Sequence, residues 1–134
     1  MEETVNIKVS GHVKIWDIET EKVLYDDHNA LTPNAPNIIR RALGTGDFIN
    51  EMHAYKAAVL LATTPVQTVI YSLTPVINEV TLRAIFTPAS FNDTLDELQL
   101  GHNLNGLFST ITALSIFKDN NTQIGVEWKL KITT

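Results

Sequence analysis

"VNIKVSGHVKI", residues 5–15, alternates with a period of two. Val5, Ile7, Val9, Gly11, Val13 and Ile15 fall on one side; Asn6, Lys8, Ser10, His12 and Lys14 fall on the other. Successive side chains of an extended chain point to opposite faces, so the pattern predicts a long strand with one buried and one wet face. Gly11 interrupts the apolar set and predicts a bend or bulge.

Outward from this strand, Ile18–Glu21 reads as a turn and Lys22–Tyr25 as a returning strand. The far end repeats the pattern: Ile124, Val126, Trp128, Leu130 and Ile132 share one face, while Glu127, Lys129 and Lys131 share the other. Glu79–Thr87 alternates through Val80, Leu82, Ala84 and Phe86. The expected core is Val80, Leu82, Phe86, Val126, Trp128 and Leu130. Tyr55–Ala62, Gln67–Leu73, Leu95–Leu100 and Leu107–Lys118 are further strand candidates. One helix stands out. Pro36 suits its first turn, where a missing N–H costs nothing. Ile38, Ile39, Ala42 and Leu43 form one helical stripe. Gly44 falls where a left-handed cap belongs, which leaves Arg40 and Arg41 near the negative end of the helix dipole. The expected architecture is mainly β: an antiparallel β-sandwich of about eight strands, with one short helix near residues 35–43, in a single domain spanning residues 1–134.

The 134 residues suffice to bury a core without staples, and the absence of cysteine removes disulfides and thiolate chemistry. A net charge of −5 offers no basic face, so no nucleic-acid partner is expected. The opening Met1–Glu2–Glu3–Thr4 is acidic and polar, unlike a signal peptide. Ala57–Asn78 holds no charge, yet its longest purely apolar run is Ala57–Ala62. That is far short of the roughly 20 residues of a spanning helix, and no membrane association is expected. Only Glu79 and Arg83 are charged among the 34 residues of Ala57–Ser90. Neutral strands left at a sheet edge invite pairing with another chain. An obligate homo-oligomer is therefore expected, with Trp16, Val59, Leu61, Val69 and Tyr71 as its possible interface.

Four groups could carry chemistry. Asp26–Asp27–His28–Asn29 suggests a metal or acid–base site. Consecutive extended residues face opposite ways, however, so at most two could meet one ion. The structural alternative has Asp27, His28 and Asn29 ending the strand by backbone hydrogen bonds, with Pro36 starting the helix. Asp93, Asp96 and Glu97 could supply paired carboxylates, but the last two would face opposite ways on a strand; one is expected to hold a backbone or basic partner. Gly44-x-Gly46 follows a helix instead of preceding one, which suits a turn better than a phosphate cradle. None of the five serines at 10, 72, 90, 109 and 115 lies in a Gly-x-Ser-x-Gly elbow. Among the aromatics, Trp16, Tyr71 and Trp128 could stack on sugars. Trp128 shares the apolar face of the last strand and reads as core. Trp16 shares a face with His12 and Lys14 and suits an interface or ligand contact.

Two blocks of the chain resemble small structural proteins of tailed bacteriophages. In "GHVKIWDIETEKVLYDDHNALTPNAPNIIRRAL" the matching positions are Gly11–Ile15, Asp17–Leu24 and Asp27–Leu31. In "FNDTLDELQLGHNLNGLFSTITALSIFKDNNTQIGVEWKLKI" they are Glu97, Leu98, Leu107, Phe108 and Trp128. The blocks cover about two-thirds of the chain, and the motifs mark structural positions, not chemistry. Glu21 stands where the family hairpin has glycine, and the middle, Phe48–Asn78, departs most.

The resemblance implies a non-enzymatic virion protein without cofactors, made in the bacterial host cytoplasm. The first expectation is a head-associated decoration, cement or head-fibre protein that docks on itself and on major capsid, neck or tail proteins. The second is a neck, tail or baseplate component carrying fibres. A carbohydrate-binding β-sandwich module built on Trp16 is a reading of a different class. An enzyme would need a cleft that joins Asp26 or Asp27 to a distant histidine.

Overall fold

The computed structural model describes residues 8–69, 78–104 and 106–133. They form eleven strands and one helix: β1 (Lys8–Asp17), β2 (Val23–Leu31), α1 (Ala35–Thr45), β3 (Glu51–Lys56), β4 (Val59–Pro65), β5 (Gln67–Val69), β6 (Glu79–Phe86), β7 (Asp93–Leu95), β8 (Glu97–His102), β9 (Gly106–Ile111), β10 (Ile116–Lys118) and β11 (Ile124–Thr133). Eight are six residues or longer; β5, β7 and β10 have three each.

The strands pair antiparallel in the order β4-β3-β8-β9-β2-β1-β11-β6-β5, with β10-β7 as a separate ribbon. The long order folds into two packed layers, giving the β-sandwich: five strands, β2-β1-β11-β6-β5, and four, β4-β3-β8-β9. Two strands change layer. β2 pairs with β1 from Val23 to Asn29, then with β9 at Ala30 and Leu31. β4 pairs with β3 up to Pro65, and after the single residue Val66 the chain re-enters the other layer as β5 beside β6. Such crossings are how sandwiches make their corners.

The inner faces meet as the alternation predicts. Val13, Ile15, Leu82, Phe86, Val126 and Trp128 are fully buried, Leu130 nearly so, and Met52, Ala54, Leu98, Leu100 and Phe108 face them from the second layer. Burying a side chain of this size stabilises by about 1.5–3 kcal/mol, more than a typical single net hydrogen bond, so the alternation dominates the choice of fold. Val80, expected in the core, is only partly buried. It pairs with Leu130 near the start of β6, outside the layer around Leu82 and Phe86.

Several sequence expectations need correction. The strand after the first hairpin does not end near Tyr25; β2 carries Asp27, His28 and Asn29 within it, and the turn is Thr32–Asn34. Alternation survives because Asp26 and His28 point outward while Asn29 finds polar partners inside. No register shift falls at Gly11; the shift in this pair lies at Ile15/Trp16. Gly11 is required for another reason, since a Cβ there would collide with the Asn29 carboxamide. Pro36 does lie in the first turn of α1, but the left-handed cap is Gly46 (φ 77°), whose N–H donates to Ala42 O at 2.8 Å. The helix runs through Gly44, so Arg40 and Arg41 are not in its last turn. Tyr55–Ala62 is not one strand. It folds back at Ala57 (φ 48°) and Ala58 (φ 63°), both left-handed without being glycine. Leu107–Lys118 breaks near Ala113 (φ 59°) into β9 and β10. Of Gln67–Leu73, only β5 lies within the described residues.

Candidate functional site

The polar cluster of β2 divides by face. Asn29 lies at the corner where β2 changes layer. Its Oδ1 accepts from the Trp128 indole N–H at 3.0 Å, and its Nδ2 donates to Ser109 Oγ. This amide joins β2, β11 and β9 across the sandwich, so the low surrounding dielectric strengthens these bonds. Asp27 accepts from the N–H of His28 at 2.7 Å, a local backbone bond of the expected kind. On the outer face, His12 Nε2 and Asp26 Oδ1 form a hydrogen bond, and the His12 and His28 rings meet edge to face with centroids 4.9 Å apart. This is the carboxylate–histidine convergence that an enzyme needs. It lines a small recess of about 250 Å³ with Lys14, Glu127 and Lys129, and the two side chains are 41% and 51% exposed. Among the described residues, no three histidine, cysteine or acidic side chains gather as a metal site.

The second acidic cluster braces a turn. Lys56 Nζ donates to Asp93 Oδ1 at 2.7 Å, and the N–H of Ala57 donates to Asp96 Oδ2 at 2.8 Å. These two acids fix the Ala57–Ala58 turn, compensating for left-handed alanines that cost roughly 1–2 kcal/mol each. The Lys56 bond, then the Thr94 N–H, hold the Asp93 carboxyl below its usual pKa. Glu97 accepts from Gln99 Nε2 at 2.5 Å.

Two buried polar residues carried no sequence signal. Lys118 is fully buried, and its ammonium donates to Pro88 O (2.7 Å), Phe91 O (2.9 Å) and Asp119 O (2.9 Å). Burial pulls its pKa below the ordinary lysine value, and Asp119 partly opposes that shift. Three carbonyls match three donors, so Lys118 ties the loop after β6 to β10. His102 Nδ1 accepts from the N–H of Leu104 at 3.1 Å, which leaves Nε2 to donate to Asp47 Oδ2 at 2.8 Å. Both ring nitrogens thus have structural work.

The outer face of the five-strand layer is the most distinctive surface. Register aligns its outward residues in rows across the strands. One row reads Val23, Trp16, Gly125, Ile85. The next reads Asp26, Lys14, Glu127, Arg83, Gln67. The Trp16 indole lies over Gly125, where a Cβ would stand only 2.6 Å from Cζ2. Lys14 Nζ is 5.8 Å from the indole centroid. Val23 and Ile85 are 46% and 49% exposed, so the first row is apolar and open to solvent. Beside it runs a groove of about 810 Å³ lined by Trp16, Ile18, Pro65, Arg83, Ile85 and Glu127. The Glu127 carboxylate forms ion pairs with Arg83, Nε at 3.4 Å, and with Lys129, Nζ at 3.5 Å.

Of the other expected interface residues, Val59 and Leu61 belong to β4, in the other layer. Val59 is exposed beside the β3–β4 turn. Leu61 is partly buried against the core, at the register shift opposite Ala54/Tyr55. Val69 ends β5, paired with Thr81. Tyr71 lies outside the described residues. Among the described residues, no helix is long and apolar enough to cross a membrane. Comparison with protein-family models, curated proteins and solved structures finds no match for this chain.

Proposed function

We propose that this chain is a non-enzymatic structural protein of a tailed-bacteriophage virion, which works by associating with itself and docking on other virion proteins. The observation that carries the reading is the outer face of the five-strand layer. An apolar row, with exposed Val23 and Ile85 flanking a half-buried Trp16, runs beside a row of alternating charges. Apolar centres with satisfied polar rims are characteristic of association surfaces. Several side chains suited to acid–base work favour the same reading: Asp93, Asp96 and His102 each hold a structural partner. The resemblance of the two sequence blocks supports a virion setting, with a head-associated decoration, cement or head-fibre role first and a neck, tail or baseplate role second. Quantitative mass spectrometry of purified particles from the bacterial host tests this. The chain should be present in many copies per particle, and copy number separates head from neck. Particles without it contradict the reading.

A second reading is favoured by one observation, the groove of about 810 Å³ beside the Trp16 indole, which could hold a sugar ring. Glycan binding that disappears in Trp16→Ala would select it.

A further inference from the structure

Across the four long strands β2, β1, β11 and β6, the outward charges of one row read Asp26 (−), Lys14 (+), Glu127 (−), Arg83 (+). Reversed, this row becomes its own complement. From that property we infer that the face binds a second copy of itself about a two-fold axis parallel to the strands, between β1 and β11. The inference rests on the assembly reading above and names the partner and geometry for that same surface.

A half-turn about this axis exchanges β1 with β11 and β2 with β6. Lys14 then faces Glu127 of the second copy, and Asp26 faces its Arg83. Each contact occurs twice, as an isologous interface requires. In the apolar row, Val23 meets Ile85 of the second copy. The two Trp16 indoles, each lying over its own Gly125, come beside the axis. Gly125 matters here because a side chain at that position would displace the indole. In the adjoining row Lys129 meets His12, whose ring is held by Asp26. No other axis parallel to the strands pairs all four charges with opposites. Moving the axis by one strand leaves two of the four charges unmatched, and placing it on a strand sets like charges together, which selects against that register.

The area is consistent with a reversible dimer. Four strands about 4.8 Å apart and about 30 Å long present on the order of 600 Å² per copy, at the lower end of stable interfaces.

Charge exchange tests the geometry. Lys14→Glu sets a carboxylate against Glu127 of the second copy, and Glu127→Lys sets an ammonium against Lys14 of the second copy. Each alone should weaken the dimer about 100-fold, read by sedimentation velocity of the purified full chain. Mixed in equal amounts, the two variants should form a heterodimer within about tenfold of the wild-type affinity, because both contacts again join opposite charges. Asp26→Arg with Arg83→Asp repeats the test away from the Glu127 cluster, in case Glu127→Lys does not fold. Wild type that associates while all four variants associate equally well overturns this geometry but leaves assembly standing. Wild type that stays monomeric to its solubility limit overturns both.

Discussion

The two corners of the sandwich solve one problem with different chemistry. At the first, β2 leaves β1 for β9, and a buried amide manages the change: Asn29 is bonded to the Trp128 indole and the Ser109 hydroxyl, in space left by Gly11. At the second, β4 becomes β5, and two hydrogen bonds to neighbouring segments hold the change. Pro65 ends the ladder, the N–H of Val66 donates to Asn50 O at 3.0 Å, and Thr64 Oγ1 donates to Ile85 O at 2.8 Å. The partners at the first corner lie 80 and 99 residues apart in sequence, whereas at the second Thr64 and Ile85 lie 21 apart. The difference teaches where a single substitution should matter most.

Asn29→Leu should have the largest effect. It removes the acceptor of a buried indole N–H and forces a branched side chain over Gly11, so about 3 kcal/mol should be lost in chemical denaturation. A loss below about 0.5 kcal/mol would mean that the amide does not hold the corner. Thr64→Val at the second corner keeps the shape and removes one hydrogen bond, for a loss of about 1 kcal/mol in the same measurement. If the two losses were equal, the contrast between the corners would disappear.

Acid should separate the corners further. The first is neutral, whereas the hairpin feeding the second is held by Lys56–Asp93. The folded Asp93 carboxyl lies below its unfolded pKa, so its contribution is present above that value, about 4, and lost as pH falls through the lowered one. Hydrogen exchange near pH 3 should therefore show β3–β4 amides losing protection before those around Asn29. Simultaneous loss would count against it. The smallest effect has the opposite sign: Ala58→Gly relieves a left-handed alanine and should raise stability by less than about 1 kcal/mol.

These contrasts explain what could be read from the chain. Period-two alternation locates β1, β6 and β11 and most of the core, because burial of one face depends only on which positions are apolar. Trp128 is legible as core and Trp16 as outward for the same reason. In the sequence Asn29 looks like a turn former because its partners lie 80 and 99 residues away. The Ala57–Ala58 turn carries no glycine or asparagine, and its braces come from Asp93 and Asp96, distant in sequence. Gly44 and Gly46 could each cap the helix; only backbone geometry separates them. Lys118 is tolerated in the core only because three carbonyls converge on it, which no local pattern announces. The charge row is hidden too, since its members lie on four strands and align only through register.

Self-association is the claim on which the functional reading depends, and the most direct measurement is the solution mass of the unmodified chain across a concentration series. Light scattering coupled to size exclusion should give a mass above one chain at high concentration, falling toward one chain on dilution. A single-chain mass at every concentration would contradict it.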